Sequence, residues 1–431
     1  MNLLLAILAF NIIVIVHELG HFIAAKKMGI KVLEFSLFVG PKLFSFEKGE
    51  TTYSLRLFPI MAYVKMEGEE EDSDSERAFC NKPKYARALT AFCGPFANLL
   101  LAAVLLTAYF SIDGYSTTRI SQIADGAPAA EAGIQEGDKI VSYDGKKVYM
   151  PLDMIQFLYV SKGVPAKVEY VRNESGENKL YTTTIRPEKI EAKVRPMLGV
   201  TLSDDGSSTI SGLSQGYPAE KAGLRAGDRV IRLNDTDIKT SDELIKFIAD
   251  NGIKPVEVTV QRGDSVVTTE MTPVETKTEE SFNVGLAFEY TKGSVLDSLG
   301  QSAVFTYSIV RSTAYSLGWL ITGKARLNEM MGPIGMVETI STAVKQAPNY
   351  MEMLLYLMYI TSLLSIAIGA TNLIPFPMLD GGRLLLIGVE AVRGKPISRD
   401  KEAYISMVGF VLIILLGIYA AYNDIMRIVS G

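Results

Sequence analysis

The sequence has few of the residue types that mark disulfide-rich or nucleic-acid-binding proteins. Its 431 residues include only two cysteines, two histidines and one tryptophan, and its net charge is −5. Cys80 and Cys93 flank the start of an apolar stretch, so no disulfide framework is expected. Lysine and arginine are dispersed, which excludes a nucleic-acid binder by charge. Apolar side chains are abundant instead, at 48% of the total, and indicate a membrane protein.

Four apolar segments are each long enough for a helix that crosses a bilayer, which takes about 20 residues. They cover residues 3–25, 89–112, 351–373 and 403–421. The first lacks the basic start and the small-residue cleavage site of a signal peptide. A further segment, 303–321, contains an arginine and several Ser and Thr residues, so it is predicted to be an amphipathic helix at the interface rather than a span.

The cations predict the orientation of these spans. Lys26 and Lys27 follow the first span, basic residues within 82–87 precede the second, and others within 393–401 separate the last two. By the positive-inside rule these segments are cytoplasmic. The N-terminus and everything between the second and third spans are therefore predicted to lie outside the cytoplasm.

The segment between the second and third spans contains an internal repeat. Residues 127–138 return as 217–228, and the offset of about 90 residues persists downstream. A short helix closed by glycine, followed by Gly-Asp and a β-rich run, resembles bacterial PDZ domains. Leu198-Gly199 looks like the loop with which a PDZ domain receives a carboxylate chain end, and the first copy lacks a clear equivalent. A role for both copies as spacers or filters is about as well supported as peptide binding.

The first span carries the residues of a metal site. His17 and His21 are four apart, so on a helix both imidazoles reach one metal ion while Glu18 lies beside them as a general base. Two neutral imidazoles and one carboxylate suit Zn²⁺ and leave a position for water. A chance pair of core histidines is the alternative, but ionisable side chains inside an apolar span are costly and usually functional.

Asp380 is the best candidate for the third ligand. It follows Pro375 and Pro377 and precedes two glycines at the end of the third span. The prolines break the helix and the glycines permit close backbone approach, so a carboxylate can be delivered at membrane depth. Taken alone, Asp380 could equally be the N-cap of the following helix. A shared metal ion accounts for His17, His21 and Asp380 together.

With these motifs the sequence resembles the site-2 protease family of intramembrane metalloproteases, specifically the bacterial regulator-of-sigma-E protease type with tandem PDZ domains. The resemblance extends over essentially the whole chain. The matching motifs are His17 to His21, the β-loop 35–63, the Gly-Pro-x-x-Asn segment 94–98, the Gly-Pro-Ile-Gly segment 332–335 and the Asn-to-Gly-Gly segment 372–382. One departure is Met61-Ala62, where the family often has Gly-Gly.

The resemblance implies a fold and a set of roles. The fold is a polytopic α-helical membrane protein of about four transmembrane helices, with a membrane-associated β-loop and two inserted α+β PDZ domains. Asn98 and Asn372 are expected to hold the substrate backbone, with polar contacts between helices as the alternative, and Leu198 and Gly199 are expected to bind a chain end. The cofactor is Zn²⁺. Expected partners are the lipid bilayer and membrane-protein substrates such as anti-sigma factors or signal-peptide remnants, in a bacterial inner or cytoplasmic membrane with the active site near its cytoplasmic face.

The expected domain order has two halves of a protease core around an insertion. The divisions are 1–114 and 351–431 for the membrane core, 115–193 and 194–290 for the PDZ domains, and 291–350 for an amphipathic region. Two other functions fit the sequence less well. A catalytically inactive PDZ scaffold has no need of Glu18 together with three ligands. A zinc transporter needs ligands repeated along several spans, and the chain has no third histidine.

Overall fold

The computed structural model describes residues 2–430 except 70, 72, 193, 204, 215, 278–279, 326, 328–331, 333–334, 336–339, 341–346, 348 and 396. The helices are α1 (Asn2–Lys27), α2 (Lys84–Ile112), α3 (Pro128–Glu131), α4 (Pro151–Ser161), α5 (Pro218–Lys221), α6 (Ser241–Asn251), α7 (Val295–Ile321), α8 (Tyr350–Asn372), α9 (Asp380–Arg393) and α10 (Arg399–Ser430).

The strands that position the site and the repeat are numbered in chain order. They are β1 (Val32–Lys48), β2 (Thr51–Met66), β3 (Tyr115–Ile123), β4 (Lys139–Tyr143), β5 (Lys146–Lys147), β6 (Ala166–Glu174), β7 (Glu177–Ile185), β8 (Glu188–Ile190), β9 (Val194–Met197), β10 (Val200–Leu202), β11 (Ile210–Leu213), β12 (Arg229–Leu233), β13 (Thr236–Asp237), β14 (Val256–Arg262), β15 (Ser265–Met271), β16 (Val274–Lys277), β17 (Ser281–Asn283) and β18 (Leu286–Thr291).

Among the described residues, four helices are long and apolar enough to cross a membrane, which confirms the predicted membrane protein. They are Leu5–Lys27, Lys84–Ile112, Tyr350–Asn372 and Asp400–Met426. The second and fourth extend past the apolar runs from which they were predicted, because polar residues at their ends continue the backbone hydrogen bonding, and the first and third differ from the predicted bounds by one or two residues. The helices α1, α2 and α8 pack against one another, whereas the last span is mostly exposed.

The helix α7 is longer than the predicted 303–321 and joins two parts of the molecule. It begins at Val295, after a capping box between Ser294 and Asp297. It is not among the candidate spans found in the described residues. Phe305 packs against aromatic rings of α2 and α8, and further along Arg311 pairs with Asp153 of α4 at 2.7 Å. The helix therefore connects the membrane helices to the first repeat unit. Its interfacial placement stays a prediction.

The strands β1 and β2 form a bent hairpin beside α1. Residues 32–37 lie between two neighbours and pair with 51–55 on one side and with 62–66 on the other. Residues 51–55 also pair, along their second edge, with 44–48. The sheet order is thus 62–66, 32–37, 51–55 and 44–48, which makes 62–66 one edge of the sheet. The far end of the hairpin carries exposed apolar side chains, including Leu43, Phe44 and Phe58.

The repeat predicted from the sequence has a structural counterpart in two α+β units. In the first, Arg172 donates to Asp138 through Nε and Nη2, at 2.8 and 2.7 Å. In the second, Arg262 donates to Asp228 through the same two nitrogens, both at 2.7 Å. Each aspartate is almost fully buried. Each unit also has its own hydrophobic core, so the same local architecture is built twice.

The strand pairing differs from the expected division into 115–193 and 194–290. The strand β18 pairs with β3, and β17 pairs with β8, so 281–291 complete the first unit. In the second unit the corresponding strand pairs are β10 with β11, which matches β18 with β3, and β9 with β16, which matches β17 with β8. The second unit, 194–277, is therefore inserted into the first, before that unit's last strands. Pairing of β3 with β18, whose partner residues are 163 to 176 positions apart, leaves no local pattern from which this boundary could be predicted.

The Gly-Pro-Ile-Gly segment 332–335 lies partly outside the described residues. Its two glycines are described, and the backbone N–H groups of Gly332 and Gly335 donate to the carboxylate of Asp424 at 3.1 and 2.8 Å. Asp424 is buried near the end of α10. These bonds connect the segment to the last span.

Candidate metal centre and active site

The helix α1 presents both histidines on one face. His17 Nε2 lies 3.2 Å from His21 Nε2, as expected for residues four apart on a helix. Both residues are largely buried. Two ring nitrogens this close together can bind one metal ion and supply two of the four ligands of a tetrahedral site.

Asp380 completes the group. Its carboxylate oxygens lie 3.2 Å from His17 Nε2 and 3.4 Å from His21 Nε2. Asp380 is the first residue of α9, and the N-cap position is Leu379, so the alternative role as N-cap is not adopted. The following glycines permit the tight approach, because a Cβ at Gly381 would lie 2.3 Å from the carbonyl oxygen of Leu373.

The donor set and its spacing fit zinc. Ligand atoms about 2.1 Å from a tetrahedral ion are about 3.4 Å from one another. The three ligand atoms all lie within 4.8 Å of one another, and the closest separations are 3.2 to 3.4 Å. Two imidazole nitrogens and one carboxylate oxygen also match a catalytic zinc site that keeps a position for water.

Contacts from α2 fix the orientation of the two imidazoles. The His21 Nδ1 lies 2.8 Å from the carbonyl oxygen of Thr90, which only accepts, so Nδ1 donates and Nε2 keeps its lone pair. The Asn98 Nδ2 lies 3.3 Å from His17 Nδ1. Rotating the amide by 180° exchanges its nitrogen and oxygen; Oδ1 then faces the ring and accepts the Nδ1 proton, which again leaves Nε2 for a metal. Sequence reasoning missed Thr90, since a backbone carbonyl leaves no residue signature.

Asn98 lies behind the histidine rather than in the cavity. Its side chain is fully buried, and its backbone carbonyl accepts from Ser365 at 2.8 Å. A fully buried side chain in contact with His17 does not reach the cavity in this structure, and the role of Asn98 in holding substrate stays a prediction. The arrangement suits a residue that orients a ligand.

Glu18 lies at the junction of α1 and the hairpin. The backbone N–H of Val64 donates to Glu18 Oε2 at 3.0 Å. Val64 belongs to the edge segment 62–66, so this edge of the sheet runs beside the metal ligands. Nearby Met61 has φ +69°, a conformation that favours glycine, and this is the position where the family often has glycine.

A polar cavity of about 280 Å³ joins these groups. Its lining includes His17, Glu18, His21, Asp380 and Asn372. Asn372, the last residue of α8, therefore faces the same space as the three ligand residues. Its role in holding substrate stays a prediction. Arg383, which sequence reasoning did not single out, also lines the cavity and pairs with Glu69.

The loop Leu198-Gly199 of the second unit, which is predicted to bind a chain end, has a structural counterpart in the first unit. Gly199 has φ +79° and its carbonyl accepts from Ser214 at 2.8 Å, while buried Leu198 accepts from Ala219 at 2.9 Å.

In the first unit Gly285 has φ +72° and accepts from Ala124 at 3.0 Å, while buried Val284 accepts from Ala129 at 3.0 Å. A Cβ on Gly199 or on Gly285 would lie 2.1 Å from the Cβ of Tyr217 or Ala127, respectively. The first unit therefore has an equivalent loop, Val284-Gly285. In the sequence this loop follows the second unit, which is why the residues before the second unit contain no clear equivalent.

Comparison with known proteins gives matches along nearly the whole chain. The chain matches the model described as Peptidase family M50 over residues 5–416. It is 32% identical over 440 residues to the zinc metalloprotease RasP of Geobacillus kaustophilus, covering 98% of this chain and 97% of that protein. It is 30% identical over 455 residues to the regulator of sigma E protease of Haemophilus influenzae, covering 98% of each.

Two further similarities concern a third relative and a solved structure. The regulator of sigma-W protease RasP of Bacillus subtilis is 28% identical over 446 residues, covering 98% of this chain and 97% of that protein. An HtrA3 PDZ domain bound to a phage-derived ligand matches 20% of this chain and 91% of its own, at 15% identity and a TM-score of 0.18. The full-length family match, together with the zinc-compatible ligands and Glu18, shows that the chain belongs to peptidase family M50, the site-2 proteases, and is a zinc metalloprotease.

Proposed function

We propose that this protein cleaves transmembrane segments of single-span membrane proteins in regulated intramembrane proteolysis. The observation that carries the proposal is the position of the ligands. His17 and His21 lie on a helix long and apolar enough to span a membrane, and Asp380 reaches them from the end of another such helix through a short turn. A hydrolytic site built on these helices acts on peptide bonds at membrane depth.

The chain's own residues supply the acid–base chemistry and the positioning. His17, His21 and Asp380 would hold the zinc ion, which when bound activates a water molecule and stabilises charge on the scissile carbonyl. Glu18 accepts the proton of the attacking water and passes it to the leaving nitrogen. The Val64 N–H holds Glu18 Oε2, so Oε1 is left for the proton.

A transmembrane substrate must be unwound before it is cut. Its peptide bonds are buried in its own helical hydrogen bonding, and an extended conformation in lipid needs new partners for those groups. The sheet edge 62–66 supports strand addition, because it lies against Glu18 and lines the catalytic cavity through Tyr63 and Val64. Asn372, on the same cavity, is proposed to hold the substrate backbone.

The proposed location is a bacterial inner or cytoplasmic membrane. The positive-inside rule supports a cytoplasmic location for Lys26 and Lys27, which end α1 a few residues after His21. The active site then lies near the cytoplasmic face and the two repeat units lie outside the cytoplasm. The relatives named as regulators of sigma-E and sigma-W proteases support membrane-bound anti-sigma factors as substrates.

We further propose that the two repeat units are PDZ domains that act mainly as a size filter, with chain-end capture at Leu198-Gly199 secondary. Their shared Asp–Arg pairs and glycine loops support two copies of one domain. Folded domains on the side from which a substrate's ectodomain approaches exclude bulk by steric contact. Such discrimination does not depend on the sequence of the substrate's end.

The test uses substrates that share one span and differ only outside it. One carries a short unstructured tail and the other a folded domain, and both are incubated with the full-length protein in the same membranes. The proposal predicts cleavage within the span, located by mass spectrometry, for the short-tailed substrate only, and none with Glu18→Gln. Cleavage outside the span contradicts intramembrane proteolysis. Equal cleavage of both substrates contradicts the filter alone.

A further inference from the structure

Asp380 reaches the two histidines from a helix with little buried surface. The helix α9 is 14 residues long and is not among the candidate spans found in the described residues. Three of its residues are buried, and of these only Ile387 has a large side chain, whereas Leu385 and Val392 are exposed. The turn 373–379 before it contains two prolines, which have no N–H to donate. The position of Asp380 therefore depends on the polar contacts that α9 makes along its length.

An ion pair with α2 holds the far end of α9. Arg87 Nη2 donates to both carboxylate oxygens of Glu390, at 2.7 and 2.8 Å. The two side chains are only 13% and 12% exposed, so solvent screens their attraction weakly. Arg87 lies in the first turn of α2, the helix that also contacts both histidine ligands. One helix therefore orients the imidazoles and also holds the helix that carries Asp380.

A second ion pair holds the start of α9. Arg383, one turn after Asp380, pairs with Glu69. Glu69 also accepts from the Met66 N–H at 3.3 Å, at the end of the sheet edge 62–66. The residues of α9 in the two pairs are about 10 Å apart along the helix. All four charged residues line one cavity of about 600 Å³, so the space between the pairs is not filled by packed side chains.

The two pairs are important because a metal ligand tolerates little movement. A side chain on a helix ends about 6 Å from the helix axis, so a rotation of about 10° around that axis moves its end by about 1 Å. Metal–ligand distances tolerate only about 0.2 Å. Contacts at two heights of α9 oppose such a rotation, and the pair with α2 is the one that refers α9 to the helix beside the histidines.

We propose that Arg87 and Glu390 are positioning residues for the metal centre. Their ion pair fixes the rotation of α9 and keeps the Asp380 carboxylate beside His17 and His21. Neither member of the pair is among the described residues that line the catalytic cavity, so the pair acts through Asp380 and not on the substrate. The inference concerns the affinity for the metal ion and does not depend on which peptide bonds are cleaved.

The test measures the zinc affinity of full-length variants in a graded chelator series. Glu390→Gln and Arg87→Met are each expected to bind zinc about tenfold more weakly than the wild type, because an outer contact of a ligand is lost. Arg87→Lys should bind zinc nearly as tightly as the wild type, because one nitrogen makes both hydrogen bonds of this pair. Arg393→Gln is the matched control, since it removes an exposed charge from the same helix. Equal affinity of Glu390→Gln and Arg393→Gln overturns the proposal.

A double-mutant comparison shows whether the pair acts through Asp380. The two histidines retain a residual zinc affinity in Asp380→Ala, and adding Glu390→Gln should not lower it further, because the carboxylate that the pair positions is already absent. An equal loss of affinity with and without Asp380 means that the pair supports the fold in general, and this result overturns the proposal. If the wild type cleaves within a span while Glu390→Gln keeps full zinc affinity, the proposed cleavage stands and the positioning role is wrong.

Discussion

Replacing Gly94 with alanine tests whether α2 holds the metal ligands by close contact. A Cβ at this position would lie 2.2 Å from His21 Nε2 and 2.4 Å from Cε1. Ordinary contact between such atoms needs about 3.5 Å, so the imidazole or the helix must move by about 1.3 Å. Metal–ligand distances tolerate about 0.2 Å. The substitution therefore removes His21 from the site.

The expected loss of zinc affinity and cleavage cannot come from a weaker helix, because helix propensity favours the substitution. Alanine favours a helix interior over glycine by about 1 kcal/mol, so Gly94→Ala should not weaken α2 itself. We expect zinc affinity to fall at least about tenfold. Cleavage should fall about 100-fold, the cost of misplacing a catalytic group by about 1 Å.

The assay measures zinc by mass spectrometry after dialysis against a graded chelator series, alongside cleavage in the same membranes. Gly388→Ala is the matched control, because Gly388 lies within α9 and a Cβ there meets no atom within 4 Å. The control should behave like wild type. If Gly94→Ala binds zinc and cleaves as well as Gly388→Ala, the close packing of α2 on His21 is wrong.

Three further predictions concern the ligand support, the base and the second unit. Asn98→Ala should lower zinc affinity by about 10- to 100-fold in the same chelator series, because His17 loses its orienting partner; unchanged affinity contradicts that role. Val64→Pro removes the N–H that holds Glu18, so kcat should fall while bound zinc stays constant, and a parallel loss of zinc would contradict this division. The Arg262 hydrogen bond holds the pKa of Asp228 below its usual range, although burial raises that pKa. The stabilisation from this pair is therefore present at neutral pH and is lost as the pH falls below about 4. Arg262→Met should destabilise the second unit by about 3 kcal/mol, measured by hydrogen exchange of β12 and β14, and should flatten the acid dependence of that stability.

Much of the site was predictable because its chemistry is local in sequence. Helical spacing places His17 and His21 together, and the Pro and Gly residues around Asp380 indicate an irregular turn that delivers a carboxylate. The role of Asn98 was not predictable in the same way. Its motif shows that a polar residue belongs there, but only the fold shows that it lies against His17 rather than in the cavity.

The architecture of the repeat was only partly predictable. The offset of about 90 residues gives two units with equivalent aspartates and glycines. The nesting of one unit within the other depends on β18 pairing with β3, and strand pairing at such sequence separation has no local signature. For that reason Gly285, the counterpart of Gly199, could not be recognised from its sequence neighbourhood.

The measurement that tests the central claim most directly compares Asp380→Ala with Glu18→Gln for zinc content and for cleavage of one single-span substrate. Asp380 is placed among the ligands and Glu18 beside them, so the two variants should separate. We predict that Glu18→Gln retains about one zinc per chain without cleavage, and that Asp380→Ala loses both. Full zinc content and full cleavage in Asp380→Ala would contradict the account and remove Asp380 from the metal centre.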